Sequence, residues 1–173
     1  ETRMHGHHEI DVISVLIEGQ IVHEGSLEHG RSMGAGQAQA QRAGGEGFQH
    51  NEINPNAQQN RMLQLWALPE TPNEPASYKF YDLVPGEVTR IYGGSKTQSK
   101  TLDSQTCIDV GLLADKQSIS TDGEFLLYMA TGKGEVNGQS VTEGDLVRGD
   151  DLRFTANAAT QVIVVTKNSA TAK

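Results

Sequence analysis

The hydrophobic positions of this chain come in short runs interrupted by glycine and other turn-forming residues, a pattern typical of strands rather than long helices. Residues 10–17 carry apolar side chains on both faces, as expected of a strand buried between two layers. Glu18-Gly19 is predicted to turn the chain into a second short strand at Gln20–Val22. Residues 28–36 are expected to form loop and turn, and Met62–Leu68 is a further strand candidate that also fits a short helix.

The same pattern continues through the second half of the chain. Strand-like runs recur there at short intervals: Ile108–Leu112, Phe125–Met129, Glu135-Val136, Leu146-Val147 and Gln161–Thr166. Glycine supplies 19 of the 173 residues, above its usual fraction of about 7%, which favours tight turns. Many short strands at this spacing predict an all-β protein built as a sandwich or barrel.

Proline divides the chain. Four of the five prolines lie between Pro55 and Pro75, and proline cannot take part in a central β-ladder. We therefore expect an N-terminal domain at residues 1–68, a linker at 69–77 and a C-terminal domain at 78–173. A weak repetition of strand, glycine turn and strand in the two halves suggests that the two domains are related.

Composition narrows the function classes. No run approaches the roughly 18 apolar residues of a membrane-spanning helix. With 14 Lys and Arg against 22 Asp and Glu, the net charge is −8, and the absence of a basic run argues against binding to nucleic acid or to an anionic membrane. Cys107 is the single cysteine, which excludes an internal disulfide framework and a cysteine-rich zinc site. A reducing compartment, and hence a cytoplasmic location, is expected.

Histidine carries the clearest chemical signal, because all six histidines lie within the first 50 residues. His5 and His7 are two apart in a predicted extended segment, where such residues point to one face about 6.5–7 Å apart. His50 and Glu52 repeat this spacing just after the glycine-rich residues 44–47. Two such pairs on neighbouring strands provide three imidazoles and one carboxylate, a donor set that favours iron(II), with manganese, nickel, copper or zinc as alternatives. Two cis positions of an octahedron would stay open for substrate and dioxygen.

Other interpretations of the histidines are open at this point. The first histidines could be the remnant of a purification tag, although Gly6 interrupts them, or a surface cluster without a role. His8 and His29 are expected to be exposed and without function. His23 is either a structural residue or a pocket residue next to the metal.

Six segments follow one another in a recognisable order: His5-Gly6-His7, Leu16-Ile17-Glu18-Gly19, His23-Glu24-Gly25-Ser26, Ala35-Gly36-Gln37-Ala38-Gln39, Ala43–Glu52 and Leu63–Glu70. Their order and spacing resemble the pirin family of two-cupin proteins, which includes bacterial quercetinase-like pirins. The family pattern contains His-Pro-His, Leu-Glu-Gly, His-x-Asp-Ser, Pro-Gly-x-x-Gln, Ala-Gly-x-Gly-Ile-x-His-Ser-Glu and Leu-x-x-Trp-x-x-Leu-Pro. Residues 78–168 resemble the second, metal-free cupin of the family more loosely, through residues 112–117 and 134–138.

The resemblance implies an all-β bicupin fold, in which two cupin β-sandwiches of the jelly-roll type are stacked. It also implies that His5, His7, His50 and Glu52 are the metal ligands and that the C-terminal cupin is metal-free. Pirins carry further strands before their His-x-His motif, so the N-terminal cupin is expected to lack its opening strands.

The family offers two functions. Some pirins open the ring of flavonols such as quercetin with dioxygen, and others are iron-dependent regulatory partners of transcription factors or metabolic enzymes. We therefore expect either a quercetin 2,3-dioxygenase, acting on a small aromatic substrate and O2, or a non-catalytic iron-binding protein that docks a protein partner. In the enzyme, Glu52 is the expected catalytic residue, as acceptor of a proton from the metal-bound substrate. The sequence has no phosphate loop, dinucleotide fingerprint or nucleophile triad that would indicate another enzyme class.

Overall fold

A computed structural model describes residues 1–168, and the regular secondary structure within that range consists of β-strands alone. The first half contains β1 (His5–His7), β2 (Asp11–Glu18), β3 (Gln20–Gly25), β4 (Arg31–Gly34), β5 (Gln37–Arg42), β6 (Phe48–Ile53), β7 (Arg61–Ala67) and β8 (Ser77–Asp82). The second half contains β9 (Val88–Gly94), β10 (Ser104–Leu113), β11 (Ser118–Thr131), β12 (Lys133–Val136), β13 (Gln139–Thr142), β14 (Leu146–Ala156) and β15 (Thr160–Lys167). The predicted all-β class is confirmed.

The chain divides into two compact units, and the division lies between Asp82 and Leu83. It falls after the expected linker at 69–77, because β8 pairs with β5 in the first unit. The proline-rich segment is also held by the first unit, since the Glu74 carboxylate lies 2.9 Å from the guanidinium of Arg42. Proline keeps most of this segment out of the sheets without freeing it from the domain.

The first unit consists of two four-stranded antiparallel sheets, in the orders β1-β6-β3-β4 and β7-β2-β5-β8. Apolar side chains from both sheets meet near Leu16, Ile21 and Met33, and a second cluster forms around Val12 and Phe48. The two sheets therefore face each other as a sandwich. Its interior also holds a buried polar group: Ser14, His23, Gln39, Gln41, His50 and Glu52.

The second unit is built on one antiparallel sheet of seven strands, in the order β13-β12-β14-β11-β15-β10-β9. Its two longest strands, β11 and β14, pair with a register shift between Thr121 and Glu124. The apolar core of this unit is formed by large side chains such as Leu127, Leu152 and Phe154.

One sequence expectation was wrong in detail. Residues 28–36 were expected to be loop and turn, but residues 31–34 form β4, which pairs with β3 through Gln20 opposite Gly34. Only Met33 of this strand is buried, so the strand carries almost no hydrophobic signal. No α-helical segment in the described part of the chain has the length and hydropathy that a transmembrane helix requires.

Candidate metal centre

The histidines lie on two paired strands. β1 and β6 are antiparallel neighbours, with His5 directly opposite His50 and His7 opposite Phe48. Because directly opposed residues of an antiparallel pair point to the same face, the His5 and His7 rings meet the His50 ring on the inner side of this sheet. A turn with Gly47 in the left-handed region (φ 74°) leads into β6.

Three ring nitrogens converge at this place. Nε2 of His50 lies 2.9 Å from Nε2 of His5 and 3.1 Å from Nε2 of His7. The ligand nitrogens of these three residues, which we call the histidine cluster, all lie within 4.8 Å of one another. His50 is fully buried and His7 is 9% exposed, so the cluster reaches solvent mainly through the half-buried His5.

The short distances fit a shared cation better than hydrogen bonds. An imidazole Nε2 offers a single in-plane position, either a lone pair or an N–H, so His50 cannot satisfy two such contacts at once. A cation removes the conflict, because all three nitrogens can then direct lone pairs at it. With metal–nitrogen bonds of about 2.1 Å, two ligands at right angles lie about 3.0 Å apart, in agreement with the observed 2.9 and 3.1 Å.

The protonation state of the rings supports the same conclusion. Burial, together with the charges of His5, His7 and His23, lowers the pKa of His50 to about 3. Burial and the charge of His5 also lower the pKa of His7. The Nδ1–H of His5 donates to the carbonyl of Arg3 at 2.8 Å, which leaves its Nε2 with a free lone pair. Neutral imidazole is the form that binds metal ions.

Glu52 lies beside the cluster and is held by two amides. It does not join the mutual group of three histidines, and instead forms a second group with His23 and His50, again within 4.8 Å. The Nε2 of Gln39 donates to Oε1 of Glu52 at 3.2 Å, and the Nε2 of Gln64 donates to Oε2 at 3.3 Å. We call these two residues the glutamine clamp. The two carboxylate oxygens have about four acceptor positions between them, so the group still has room for an ion or a proton.

Aromatic donors fix the orientation of the clamp. The hydroxyl of Tyr78 donates to Oε1 of Gln39 at 2.8 Å, and the indole Nε1–H of Trp66 donates to Oε1 of Gln64 at 2.9 Å. With their carbonyls engaged in this way, both amides must turn their NH2 groups towards Glu52.

Opposing effects act on the pKa of Glu52, and burial is the largest of them. Burial raises its pKa, while the charge of His5 and hydrogen bonds from Gln64, Ser14 and Gln39 oppose that rise. The carboxyl group is therefore a stronger base than an exposed glutamate, with its oxygens fixed in position.

His23 completes the polar interior. It lies directly opposite Glu52 in the β3–β6 ladder and is fully buried, yet neither of its ring nitrogens has a hydrogen-bond partner among the described residues. Nε2 of Gln41 lies 3.3 Å from Nδ1 of His50. Within the described chain, Oε1 of Gln41 also lacks a hydrogen-bond partner. Buried polar groups left open in this way are typical of places where an ion, a water or a ligand completes the bonding.

Comparison with known proteins finds a family similarity in the first part of the chain. The pirin family model matches residues 1–67, the segment that carries the histidine cluster and the glutamine Gln64. Over these residues the chain is similar to the pirin family. The sequence resemblance to pirins is thereby confirmed.

Relatives extend the similarity beyond residues 1–67. A Pseudomonas aeruginosa protein named as a candidate quercetin 2,3-dioxygenase is 26% identical over 93% of this chain and 75% of its own length. The quercetin 2,3-dioxygenase of Escherichia coli K12 is 24% identical over 82% of this chain, which spans only 64% of that relative. The crystal structure of the Escherichia coli pirin YhhW in complex with nickel(II) matches with a TM-score of 0.79 at 17% identity, covering 94% of this chain and 74% of that one. The predicted all-β cupin fold is confirmed.

The structure shows where the site residues that were predicted from the sequence lie. It brings His5, His7 and His50 together, places Glu52 next to them, and leaves His8 and His29 exposed, as expected. Sequence reasoning missed the glutamine clamp. Gln39 stands in the alternating pattern of β5, and Gln64 is a single polar residue between apolar neighbours in β7. Glutamine is too common on strand surfaces for either position to be noticed.

Proposed function

We propose that the protein is a metal-dependent dioxygenase that opens flavonols of the quercetin type. His5, His7, His50 and Glu52 would hold one divalent ion, and the mixed nitrogen and oxygen donor set favours iron(II) over manganese, nickel, copper or zinc. One observation supports this proposal most. Nε2 of His50 lies only 2.9 Å from Nε2 of His5 and 3.1 Å from Nε2 of His7. The relatives named for quercetin dioxygenation support the substrate class.

A divalent ion at this place would act as a Lewis acid that lowers the pKa of a coordinated flavonol 3-hydroxyl. Glu52 would accept the released proton on a carboxylate oxygen, since burial raises its pKa. The glutamine clamp would hold that carboxylate in the same position before and after it takes the proton. The buried surroundings of His50 and Glu52, which are 0% and 4% exposed, would keep bulk water from the reacting groups. The products are the ring-opened ester and carbon monoxide, which together contain all atoms of flavonol and O2.

We assign the metal to the N-terminal domain and propose the C-terminal domain as a metal-free cupin. Cys107 is buried and is the single cysteine of the sequence, and so low a cysteine content is in keeping with a reducing compartment such as the cytoplasm.

The test is oxygen uptake by protein loaded anaerobically with iron(II), or with each alternative metal in turn, after addition of quercetin and air. We expect equimolar O2 consumption and carbon monoxide release. His50→Ala should lower the rate at least 100-fold, whereas the exposed control His29→Ala should retain it. Metal-loaded protein that consumes no O2 with quercetin would overturn the dioxygenase proposal and favour a regulatory protein that docks a partner.

A further inference from the structure

Trp66 is an exposed aromatic residue attached to the buried site. It is the only tryptophan of the chain, and 61% of its side chain is exposed. Its ring centroid nevertheless lies 5.3 Å from that of His7, with the two planes at 86°. This is an edge-to-face contact, so the indole touches the histidine cluster while much of its surface faces solvent.

The indole is held in place in spite of this exposure. Its Nε1–H donates to Gln64 at 2.9 Å, and Gln64 donates to Glu52 at 3.3 Å. An indole nitrogen is only a donor, so this bond fixes both the Trp66 ring and the Gln64 amide. A large aromatic surface held in one orientation can receive a ligand with little further loss of conformational entropy.

The other half of the glutamine clamp differs at its outer end. Tyr78 holds Gln39 in the way that Trp66 holds Gln64, but Tyr78 is half-buried, and burial raises the pKa of its hydroxyl. Tyr78 therefore only positions the clamp, whereas Trp66 also presents an open ring.

We propose that the exposed face of Trp66 is the platform on which the flat aromatic substrate stacks when it binds beside His7. The inference rests on the proposed function for the class of substrate, a planar enol-bearing aromatic. Trp66 thereby determines specificity, because a non-aromatic enediol gains little from a ring platform.

Two substitutions of Trp66 separate the platform from the hydrogen bond. Trp66→Phe keeps an aromatic face and loses the N–H donor, whereas Trp66→Leu loses both. Binding of quercetin to the metal-loaded protein is measured by calorimetry under argon, where no turnover takes place. We expect roughly tenfold weaker binding in Trp66→Leu and a change of less than about threefold in Trp66→Phe. Leu146→Ala is the control: it removes an apolar side chain of the second unit that is 67% exposed, and it should leave the affinity unchanged. Metal content and thermal stability check that each variant is folded and loaded.

The outcomes for platform and enzyme are distinct. If affinity depends on the aromatic ring but no O2 is consumed in air, the platform stands and the dioxygenase proposal fails. If quercetin is turned over in air but Trp66→Leu keeps the wild-type Kd and KM, the enzyme stands and the platform is overturned. Equal losses in the Phe and Leu variants, or no quercetin binding to the loaded wild-type protein, also overturn it.

Discussion

Gly25 lies directly opposite His50 in the ladder between β3 and β6. A Cβ atom at Gly25 would clash with the carbonyl oxygen of Gln49 and would lie 3.1 Å from Cβ of His50. Only glycine lets the two strands approach this closely, and that approach fixes the position of His50 in the histidine cluster.

Gly25→Ala should therefore displace β6 and the His50 ring. We expect a loss of about 1–3 kcal/mol in the free energy of unfolding, typical of overpacking, and at least tenfold weaker metal binding in a calorimetric titration. Gly6→Ala is the control, because Gly6 lies between His5 and His7 but a Cβ there would make only ordinary contacts of 3.7 and 3.8 Å. Equal metal affinity in the two variants would show that the close approach is unimportant.

The buried ion pair between Asp11 and Arg42 predicts a stability effect remote from the metal. Arg42 donates to Asp11 through Nε and a terminal nitrogen at 2.9–3.2 Å, and both side chains are almost fully buried. Asp11→Asn leaves the buried guanidinium with Glu74 as its remaining charged partner, and urea denaturation should show a loss of about 1.5–3 kcal/mol, typical of hydrogen bonds to a charged group. Breaking the exposed pair of Glu18 and Arg61 with Glu18→Gln should cost less than about 1 kcal/mol. Similar losses in both variants would contradict this prediction.

The low pKa of His50 predicts how the metal-free protein responds to acid. Folded His50 stays unprotonated down to about pH 3, whereas in the unfolded chain it binds a proton below about pH 6.5. Between these values the unfolded state holds more protons, so the stability of the apoprotein falls as the pH falls. In His50→Asn the slope of unfolding free energy against pH, between pH 4 and 6, should decrease by up to about 1.4 kcal/mol per pH unit. Gln49→Ala replaces the exposed neighbour of His50 and removes no titratable group, so it should keep the wild-type slope, and an unchanged slope in His50→Asn would refute the assigned pKa.

The sequence predicted those features of the first unit that depend on local periodicity. Two pairs of residues, His5 with His7 and His50 with Glu52, are each two positions apart in a short extended segment. Strand geometry alone therefore places the members of each pair on one face. Pairing of β1 with β6 then brings the rings together.

Features that depend on contacts between sheets were beyond sequence reasoning. The glutamine clamp forms only because β5 and β7 of one sheet face β6 of the other. The end of the first unit was placed too early because β8 contributes only half-buried side chains, although its backbone pairs with β5.

Anomalous diffraction from crystals of the iron(II)-loaded protein tests most directly whether these residues hold an ion. We predict one anomalous peak per chain, about 2.1 Å from Nε2 of His5, His7 and His50, with a carboxylate oxygen of Glu52 as the fourth protein ligand. A peak elsewhere in the chain, or none in protein that was crystallised with excess metal, would contradict the assignment.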